Sequence, residues 1–513
     1  VYRVSKDLRV GDLQRYGREA RRGAVRAGSY WIPLAQPQKR WIQALLGEDT
    51  YVPFPYFYDV TAWSNPLLMN LDAAFSASKL APKAQRVTTA PAGGIRGNVA
   101  RASFFSFPGA TGRAVAAALD LARGGVRVLR LRRSASVRSA KLPAGTFLVP
   151  AGGEAAIEVE DVARRHRLLA NARSGPVPPG DPVDRPKVAV YAPPTASPAV
   201  GGESLGHLRF LLERVWRVPY TPMTGAEVTA GALSAGQYDV FIVPGVETLD
   251  LAAAGQQIRS WIEGGGVYVG TARPGDTGGT PYAVANGYTS SSMADADGMQ
   301  IPGSLFRVDL GGSSPLTLGA PSFVYWFHLG ESVLTRSATG LNAGVYPKKA
   351  PDFWFSGYAK GQGVLEGSAA LVDERLGAGH VVLFSGEPNY RAFTEGSAFL
   401  LANALAYPAE TQTQGVDVGS AQALPAVRTA MRSARAPFGP GRPIQLEVPT
   451  WQAAAALAVT RRFEPAAWVE RGAGGTVIVI ANPAGLDVER HPFSARRLPA
   501  LWAAGVEVRA AIL

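Results

Sequence analysis

Short apolar runs alternate with stretches of helical periodicity over residues 187–408. The apolar runs are Lys187–Ala192, Tyr238–Gly245 and Gly265–Ala272. They show little polar alternation, which is typical of strands buried on both faces of a parallel sheet. Helices are predicted between them, over Glu203–Trp216 and Leu251–Glu263. This alternation predicts an α/β fold with an open, doubly wound and mostly parallel sheet that carries helices on both faces.

The end of the same region continues the pattern. A strand pair is predicted at Ala369–Glu374 and His380–Phe384, and a last helix at Thr394–Leu405. Before that pair the chain is rich in Gly and Ser, and we interpret this part as a long excursion from the sheet. Residues 187–408 are therefore predicted to form one domain.

A second α/β unit is predicted over residues 91–173. It contains a strand at Ala102–Phe107, a helix at Gly112–Arg123 and a strand at Val126–Leu131. The Pro-rich residues 174–186 are interpreted as a linker to the following domain. Residues 409–442 are a second predicted linker, and residues 443–513 are predicted to form a small α+β domain. That last domain should carry a helix near Trp451–Arg461 and a strand at Thr476–Ala481.

An internal repeat relates the first unit, residues 1–90, to the second. Ala27–Pro33 reads AGSYWIP and Ala144–Pro150 reads AGTFLVP. The second copy follows a complete strand–helix–strand unit, whereas only a short strand precedes the first copy. We therefore expect residues 1–90 to be a truncated α/β unit of a longer protein, with Val1–Val4 at an open sheet edge. The alternative is that the two copies match by chance.

The aromatic segment Tyr51–Trp63 contains two prolines, so it is predicted to be looped or extended. Its aromatic side chains are expected to pack in a core, and the alternative is that they line a binding groove. Pairs such as Arg132-Arg133 and Arg164-Arg165 are interpreted as solvated faces, because no nucleic-acid-binding motif accompanies them. His166 and His207, on predicted helices, are expected to be surface residues.

The cysteine count is the part of the composition that excludes the most kinds of functional site. The 513 residues include no Cys, which excludes disulfides, Cys-ligated zinc, iron–sulfur clusters and thiol nucleophiles. Lys and Arg outnumber Asp and Glu by 52 to 40, but the excess is spread along the chain, so no nucleic-acid partner is predicted. No apolar run is long enough to cross a membrane, and we expect no transmembrane segment.

Three segments resemble class I glutamine amidotransferase-like domains. They are Asp239–Gly245, Gly264–Arg273 and Gly377–Pro388. The resemblance implies an oxyanion turn after the first segment, a nucleophile elbow after the second and a catalytic His after the third. Ala272 occupies the expected nucleophile position, with Thr271 beside it, and Ser385-Gly386 stand where the family carries His. We therefore expect a degenerate domain without a catalytic residue, whose site can still bind a small ligand.

His328 and Glu331 have the three-residue spacing of a metallopeptidase zinc motif. A third ligand would have to be His380 or His491, both in other structural units. His328 also ends an aromatic run, which favours a packed or surface role. No metal site and no cofactor are therefore predicted in this chain.

The layout as a whole resembles the region after the peptidase domain of large bacterial zinc carboxypeptidase-like proteins. The resemblance rests on Tyr30–Gln38 and Phe57–Ser64 and extends to about residue 408. It implies a secreted or envelope protein whose zinc lies in an upstream peptidase domain. The chain would then be a non-catalytic accessory region that binds peptide or cell-wall material, with that domain or another copy of the chain as partner.

Two alternatives remain open. The chain could be a structural or interaction protein of the bacterial cell envelope, with an inactive amidotransferase-like fold. It could also be an active amidotransferase-like hydrolase, a hypothesis that the absence of Cys opposes. The sequence encoded upstream of Val1 would separate the accessory role from the envelope role.

Overall fold

The computed structural model describes residues 1–16, 21–48, 60–193, 202–234, 236–246, 249–273, 277–296, 298–311, 314–348, 353–407, 444–448, 457, 468–472, 475–480 and 510–512. In these residues the predicted α/β architecture is confirmed, with several sheets and helices between strands. No helix in these ranges is both long and apolar enough to cross a membrane.

The N-terminal residues form small antiparallel sheets. Their elements are β1 (Tyr2–Val4), β2 (Leu8–Arg15), β3 (Arg21–Val25), β4 (Tyr30–Trp31), α1 (Lys39–Leu46), α2 (Asn65–Leu68), β5 (Ala74–Phe75) and β6 (Ala84–Arg86). The predicted open edge at Val1–Val4 is wrong, because β1 is the middle strand of the order β4-β1-β6. Residues 49–59, most of the aromatic segment, lie outside the described residues.

The second unit contains a six-stranded sheet. Its elements are β7 (Gly94–Arg96), β8 (Phe104–Phe107), α3 (Gly112–Arg123), β9 (Leu129–Arg130), β10 (Ala135–Val137), β11 (Ala140–Leu142), β12 (Phe147–Pro150), α4 (Ala155–Arg165), β13 (Leu169–Arg173) and β14 (Asp181–Pro182). Helix α3 has the predicted bounds, and Thr111 caps its first turn by accepting from the Ala114 N–H. The strand order is β14-β9-β12-β8-β13-β7.

Two expectations for this unit are corrected by the strand pairing. The repeat segments are not equivalent, because β12 lies between β8 and β9 in the six-stranded sheet, whereas β4 is an edge strand elsewhere. The similarity of sequence therefore does not support a missing strand and helix. The predicted linker 174–186 also contains β14, which pairs with β9 and belongs to this sheet.

The third unit begins with alternating strands and helices. Its first elements are β15 (Val188–Tyr191), α5 (Gly202–Phe210), β16 (Thr221–Met223), α6 (Gly225–Thr229), β17 (Val240–Val243), α7 (Gly255–Glu263), β18 (Val267–Gly270), β19 (Ala272–Arg273), β20 (Thr277–Gly278) and α8 (Gly279–Ala285). A π-helical stretch, Leu211–Trp216, continues α5. The predicted strands and helices of this part are all present.

Strands rich in antiparallel pairs follow. They are β21 (Met293–Asp295), β22 (Ser304–Leu310), β23 (Phe323–His328), β24 (Ser332–Leu334), β25 (Leu341–Val345), β26 (Trp354–Ser356), β27 (Ala369–Leu376) and β28 (Gly379–Phe384), before helix α9 (Glu395–Leu405). The Gly- and Ser-rich region is therefore part of the sheet rather than an excursion from it. Strands β21, β24 and β26 have only three residues each, too few for periodicity to reveal them.

The main path of the large sheet has the order β16-β15-β17-β18-β28-β27-β25-β22-β23. The first five strands are parallel, and the remaining four extend the sheet with antiparallel pairs. The sheet is thus mixed, and its parallel half is doubly wound. Val188 and Val190 join one core with α5 and α9, whereas Ala189 and Tyr191 join the core with α7 on the other face.

Four strands are described near the C-terminus. They are β29 (Ile444–Val448), β30 (Trp468–Gly472), β31 (Gly475–Ile480) and β32 (Ala510–Ile512), paired antiparallel in the order β30-β31-β29-β32. The predicted strand at Thr476–Ala481 corresponds to β31. The predicted helix near Trp451–Arg461 lies outside the described residues apart from Leu457, and so does the predicted linker 409–442.

A buried arginine joins the second unit to the large sheet. The Arg130 guanidinium, on β9, donates to Asn403 Oδ1 on α9 at 2.7 Å and to the Leu318 carbonyl at 2.8 Å. It also lies 4.9 Å from the centroid of the Phe147 ring. Burial lowers the pKa of Arg130 to about 10. The Asn403 side-chain amide in turn donates to the carbonyls of Leu316 and Leu318, so both its oxygen and its nitrogen take part in the contact.

We predict that Asn403→Leu lowers the free energy of unfolding by about 3 kcal/mol, because it leaves a buried cation with one acceptor fewer. Urea denaturation measures the loss. Arg132→Gln is the matched control, since Arg132 pairs with Asp181 while both side chains remain largely exposed. That change should cost less than about 1 kcal/mol. Equal losses in the two variants would contradict the role given to Arg130.

Candidate functional site

A cleft opens at the carboxyl ends of β18 and β28, where β23 also ends. Ligands of open α/β sheets bind at this edge, because the loops that follow parallel strands converge there. The enclosed space of the cleft is small, about 20 Å³, which is room for about one water molecule. Its lining residues are Ala272, Arg273, Phe327, His328, Leu329, Ser332, Ser385, Gly386, Glu387 and Tyr390. Both loops that the amidotransferase resemblance singles out therefore meet here.

The chain after β18 does not form a nucleophile elbow. An elbow needs a sharp turn that leads directly from a strand into a helix. Here β19 and β20 pair as a small hairpin between Gly270 and the start of α8. Thr271 is buried, and its backbone N–H and carbonyl are bonded to Val243 and Thr280. Ala272 begins the hairpin and carries no nucleophilic atom.

Close backbone packing holds this hairpin against the sheet. Gly278 has a positive φ of 111°, and a Cβ there would lie 2.5 Å from the Gly245 Cα. A Cβ on Gly279 would lie 2.1 Å from the Val243 carbonyl oxygen. Only glycine fits these two positions, so the backbone of the hairpin and of the start of α8 can pack directly against the ends of β17 and β18.

Glu387 links the loop after β28 to helix α5. One of its carboxylate oxygens accepts from the Ser204 hydroxyl, and the other lies 3.1 Å from His207 Nδ1. The His207 ring also packs edge-on against Tyr390, whose own ring stacks on Phe327 at 4.5 Å. Ser204 and His207 both contact the Glu387 carboxylate rather than each other, so the three residues do not form a Ser–His–acid triad. They instead hold the loop after β28 against α5.

His328 ends β23 and is buried beside the cleft. Its Nδ1 lies 3.0 Å from the Tyr346 hydroxyl. Burial lowers the pKa of His328 to about 4, against a smaller opposing effect of the Gly330 backbone, so the ring is neutral at pH 7. Its Nε2 is buried with no hydrogen-bond partner among the described residues.

Trp326 Nε1, near Gly386, is also buried without a hydrogen-bond partner within the described part of the chain, and the Trp326 ring stacks on Phe384. The buried Ser385 side chain interacts with the Tyr346 hydroxyl, and this interaction slightly opposes the effect of burial, which raises the pKa of Tyr346. A Cβ built on Gly386 would lie 4.0 Å from Trp326 Nε1.

The histidines and Glu331 do not assemble a zinc site. His328 is buried, Glu331 is exposed, and His380 lies at the opposite end of β28. His380 Nδ1 instead contacts Asp373 Oδ1 at 3.0 Å and the Tyr407 hydroxyl at 3.1 Å. His491 lies outside the described residues. In the described ranges, no three His, Cys, Asp or Glu side chains are grouped closely enough to hold a metal ion.

The predicted surface position of His166 is wrong. The residue is 1% exposed, and its Nε2 lies 3.2 Å from Asp120 Oδ2. Asp120 is also bonded to Arg165 and Arg123. Burial acts to raise the pKa of Asp120, but His166 and the two guanidinium groups together hold it below its usual value. This cluster joins α3 to α4 and is structural.

The other basic candidates pair with nearby carboxylates. Arg164 bonds Glu160 on its own helix, and Arg132 bonds Asp181. His207 is only partly exposed, because Glu387 holds it. The sequence analysis names His380 only as a possible zinc ligand and does not predict its cluster with Asp373 and Tyr407, because the three residues come from different elements. It also assigns no role to Trp326 or Tyr346, whose only signal is the density of aromatic residues in apolar runs.

Comparison with known proteins gives no family. No protein-family model and no curated protein matches the chain. Among solved structures, it is similar to the exo-beta-1,4-mannosidase Op5Man5 from Opitutaceae bacterium strain TAV5, at 12% identity over 45% of this chain and 36% of that one, with a TM-score of 0.28. It is also similar to a beta-galactosidase from Bacillus circulans, at 13% identity over 44% and 32% of the two chains, with a TM-score of 0.26.

A third similar structure is a putative ThuA-like protein from Bacteroides uniformis. The identity is 11%, the TM-score is 0.29, and the match covers 45% of this chain and 94% of that one. The chain spans about a third of the length of the mannosidase and the galactosidase, at 36% and 32%. Each similarity therefore covers less than half of this chain.

His328 gives the structure a testable pH dependence. Its pKa is about 4 when folded against 6.5 when unfolded, so the unfolded chain alone gains a proton between these values. The stability that the neutral, buried His328 contributes is complete above about pH 6.5 and is lost as the pH falls towards 4. Denaturation at pH 7.5 and pH 4.5 should show that His328→Gln loses about 2–3 kcal/mol less than the unchanged protein. Identical losses would mean that His328 is not held neutral by burial.

Proposed function

We propose that this chain is a non-catalytic ligand-binding region that acts beside a catalytic domain of the zinc carboxypeptidase type. The observation that carries the binding role is the cleft itself. It retains the position of an α/β ligand site, while Ala272 and Gly386 stand where a nucleophile and a His would be needed.

The association with a peptidase rests on the sequence resemblance of Tyr30–Gln38 and Phe57–Ser64. On this proposal the protein is secreted or held in the bacterial cell envelope, and zinc belongs to the partner domain. The accessory region would bind part of a peptide or of cell-wall material and so position it for cleavage elsewhere. The proposal assigns no catalytic residue to this chain.

A second candidate is an interaction protein of the cell envelope. It is favoured by the surface of the first unit, where the Trp41 side chain is 70% exposed and Tyr30 is 53% exposed. Helix α1, which carries Trp41, buries none of its residues in the described structure. Large exposed aromatic residues are typical of protein-contact surfaces. The gene sequence upstream of Val1 separates the candidates, because an H-x-x-E segment with a later His would favour the peptidase association.

We predict that small fragments bind the cleft and that Gly386→Leu weakens their binding at least tenfold. The Cβ fits, since the nearest atom is 4.0 Å away, but the longer side chain would fill the cleft. Ligand-observed NMR with a mixed library of neutral and charged fragments measures the effect. Gly152→Leu is the matched control, because a Cβ at that exposed glycine meets nothing within 4 Å.

Two results would reject this proposal. If the Gly386→Leu variant binds every fragment as tightly as the unchanged protein does, the cleft is not the ligand site. If the purified chain hydrolyses glutamine or a peptide amide and Thr271→Val abolishes that turnover, the region is catalytic. Unchanged background hydrolysis in Thr271→Val is the expected outcome.

A further inference from the structure

We infer that the second unit binds a linear polymer with repeating phosphate groups, on a surface separate from the cleft. The charge of this unit is the first observation. Residues 91–173 contain fourteen Lys and Arg but only five Asp and Glu, so they hold +9 of the net charge of +12 of the whole chain. The expectation that the basic excess is spread along the chain is therefore wrong for this unit.

The six-stranded sheet separates the two signs of charge. One face of the sheet packs against α3 and α4, through Phe105, Phe107 and Val149. All carboxylates of the unit lie on these two helices or at the residue that begins α4: Asp120, Glu154, Glu158, Glu160 and Asp161. Five basic residues lie on or just after the same helices: Arg113, Arg123, Arg164, Arg165 and Arg167. The helical side is therefore neutral, and the excess of positive charge lies elsewhere in the unit.

The opposite face of the sheet carries the hairpin of β10 and β11. Val137 and Leu142 face inwards and join a core with residues of the sheet. Because side chains alternate along a strand, Lys141 lies on the outer side of the hairpin. Arg138 belongs to the hairpin turn, where it has a positive φ of 53°. Both basic side chains are exposed.

Two arginines of the sheet share the face that carries the hairpin. Arg173 lies opposite Phe104, which belongs to the core under the hairpin, and Arg96 lies opposite Asn171. Asn171 and Arg173 are two residues apart on β13, so their side chains point to the same face. Strand geometry therefore places the Cα atoms of Arg96 and Arg173 about 8 Å apart. Arg96 is exposed, and Arg173 Nε donates to the Ser106 hydroxyl at 3.2 Å.

The hairpin turn lies beside the end of β13. A Cβ built on Gly175 would lie 3.1 Å from Val137 Cγ1 and 3.7 Å from Arg138 Nε. Gly175 follows Arg173 by two residues, so Arg138 and Arg173 are near neighbours. The basic residues of the hairpin and of the sheet therefore form one continuous cationic surface, which consists of Arg96, Arg138, Lys141 and Arg173.

This cationic surface is not neutralised by the described part of the protein. Its four residues have no carboxylate partner there. Asp181 lies on β14, at the opposite edge of the sheet from β7, and pairs with Arg132. Charges about 8 Å apart are closer than the Debye length of about 10 Å at moderate ionic strength, so their potentials add. The surface therefore attracts a molecule that carries several negative charges in a row.

The chemistry of the cations favours phosphate. Three of the four are arginines, and a guanidinium group bonds phosphate oxygens in a bidentate manner. The hairpin turn and the strands of the sheet present their cations from different directions. A phosphate group has its oxygens in a tetrahedral arrangement and can accept from both, whereas the two oxygens of a carboxylate lie in one plane.

The same surface gives no platform for nucleobases. Residues 91–173 contain no Trp or Tyr, and their four phenylalanines are buried: Phe104, Phe105, Phe107 and Phe147. Proteins that bind single-stranded nucleic acids combine cations with exposed aromatic rings on which the bases stack. The inferred ligand is therefore a phosphate polymer that is recognised by its charges alone and contains no bases.

Inorganic polyphosphate is the probe, and fluorescence anisotropy with labelled polymer measures its binding to the full chain. Four contacts predict that the logarithm of the affinity falls against the logarithm of the salt concentration with a slope of about −3. The double variant Arg138→Gln, Lys141→Gln should bind about tenfold more weakly, with a slope of about −1.5. Arg9→Gln, Arg214→Gln is the matched control, because it removes the same charge from exposed residues of other units and should bind like the unchanged protein.

Circular dichroism confirms that the variants are folded. Arg96→Gln, on the edge strand β7, is the second variant and should also weaken binding. No binding of polyphosphate, unchanged binding in both variants, or an equal loss in the control would overturn the inference. Poly-glutamate of equal charge that binds as tightly as polyphosphate would overturn the preference for phosphate. Tighter binding of single-stranded DNA would show that bases are recognised and would overturn the base-free polymer. None of these results bears on the cleft, so the proposed function is tested separately.

Discussion

The parallel pairing of β18 with β28 is the constraint on which the candidate site depends. Val267 lies opposite His380 and Gly270 opposite Leu383, although the two strands are far apart in the chain. This register brings the hairpin after β18 beside the loop after β28, and Ala272 N–H reaches the Gly386 carbonyl at 3.4 Å. It also joins the parallel half of the sheet to the antiparallel strands, because β28 pairs with β27 on its other side.

The three buried histidines differ in the groups that their rings contact. His166 contacts Asp120, and His380 contacts Asp373, so each ring has a carboxylate beside it. His328 contacts the Tyr346 hydroxyl and the Gly330 backbone instead, and burial dominates its pKa. A neutral imidazole with one unpaired nitrogen is a costly arrangement in a core.

The second unit and the large sheet share one apolar core, which includes residues of α3, α5 and α9. The Arg130–Asn403 contact lies within this junction and orients the two units through directional hydrogen bonds. Helix α9 follows β28 directly in the chain. On the other side of the cleft, Ala62 and two residues of α2, Leu67 and Leu68, pack in one core with Phe327 and Tyr390.

Helices and strands that depend on local patterns of residues are predictable from the sequence alone. Helix α3 was predicted with its observed bounds, and the buried parallel strands were found because a continuous apolar run needs no distant partner to be recognised. The absence of a thiol, and Ala272 in place of a nucleophile, were also visible directly. The tertiary structure alone decided that β1 is a central strand, that the Gly- and Ser-rich region extends the sheet, and that Trp326 approaches Gly386. Each of these depends on pairing or packing between residues distant in the chain, and neither periodicity nor motif spacing encodes which partner a strand or side chain will meet.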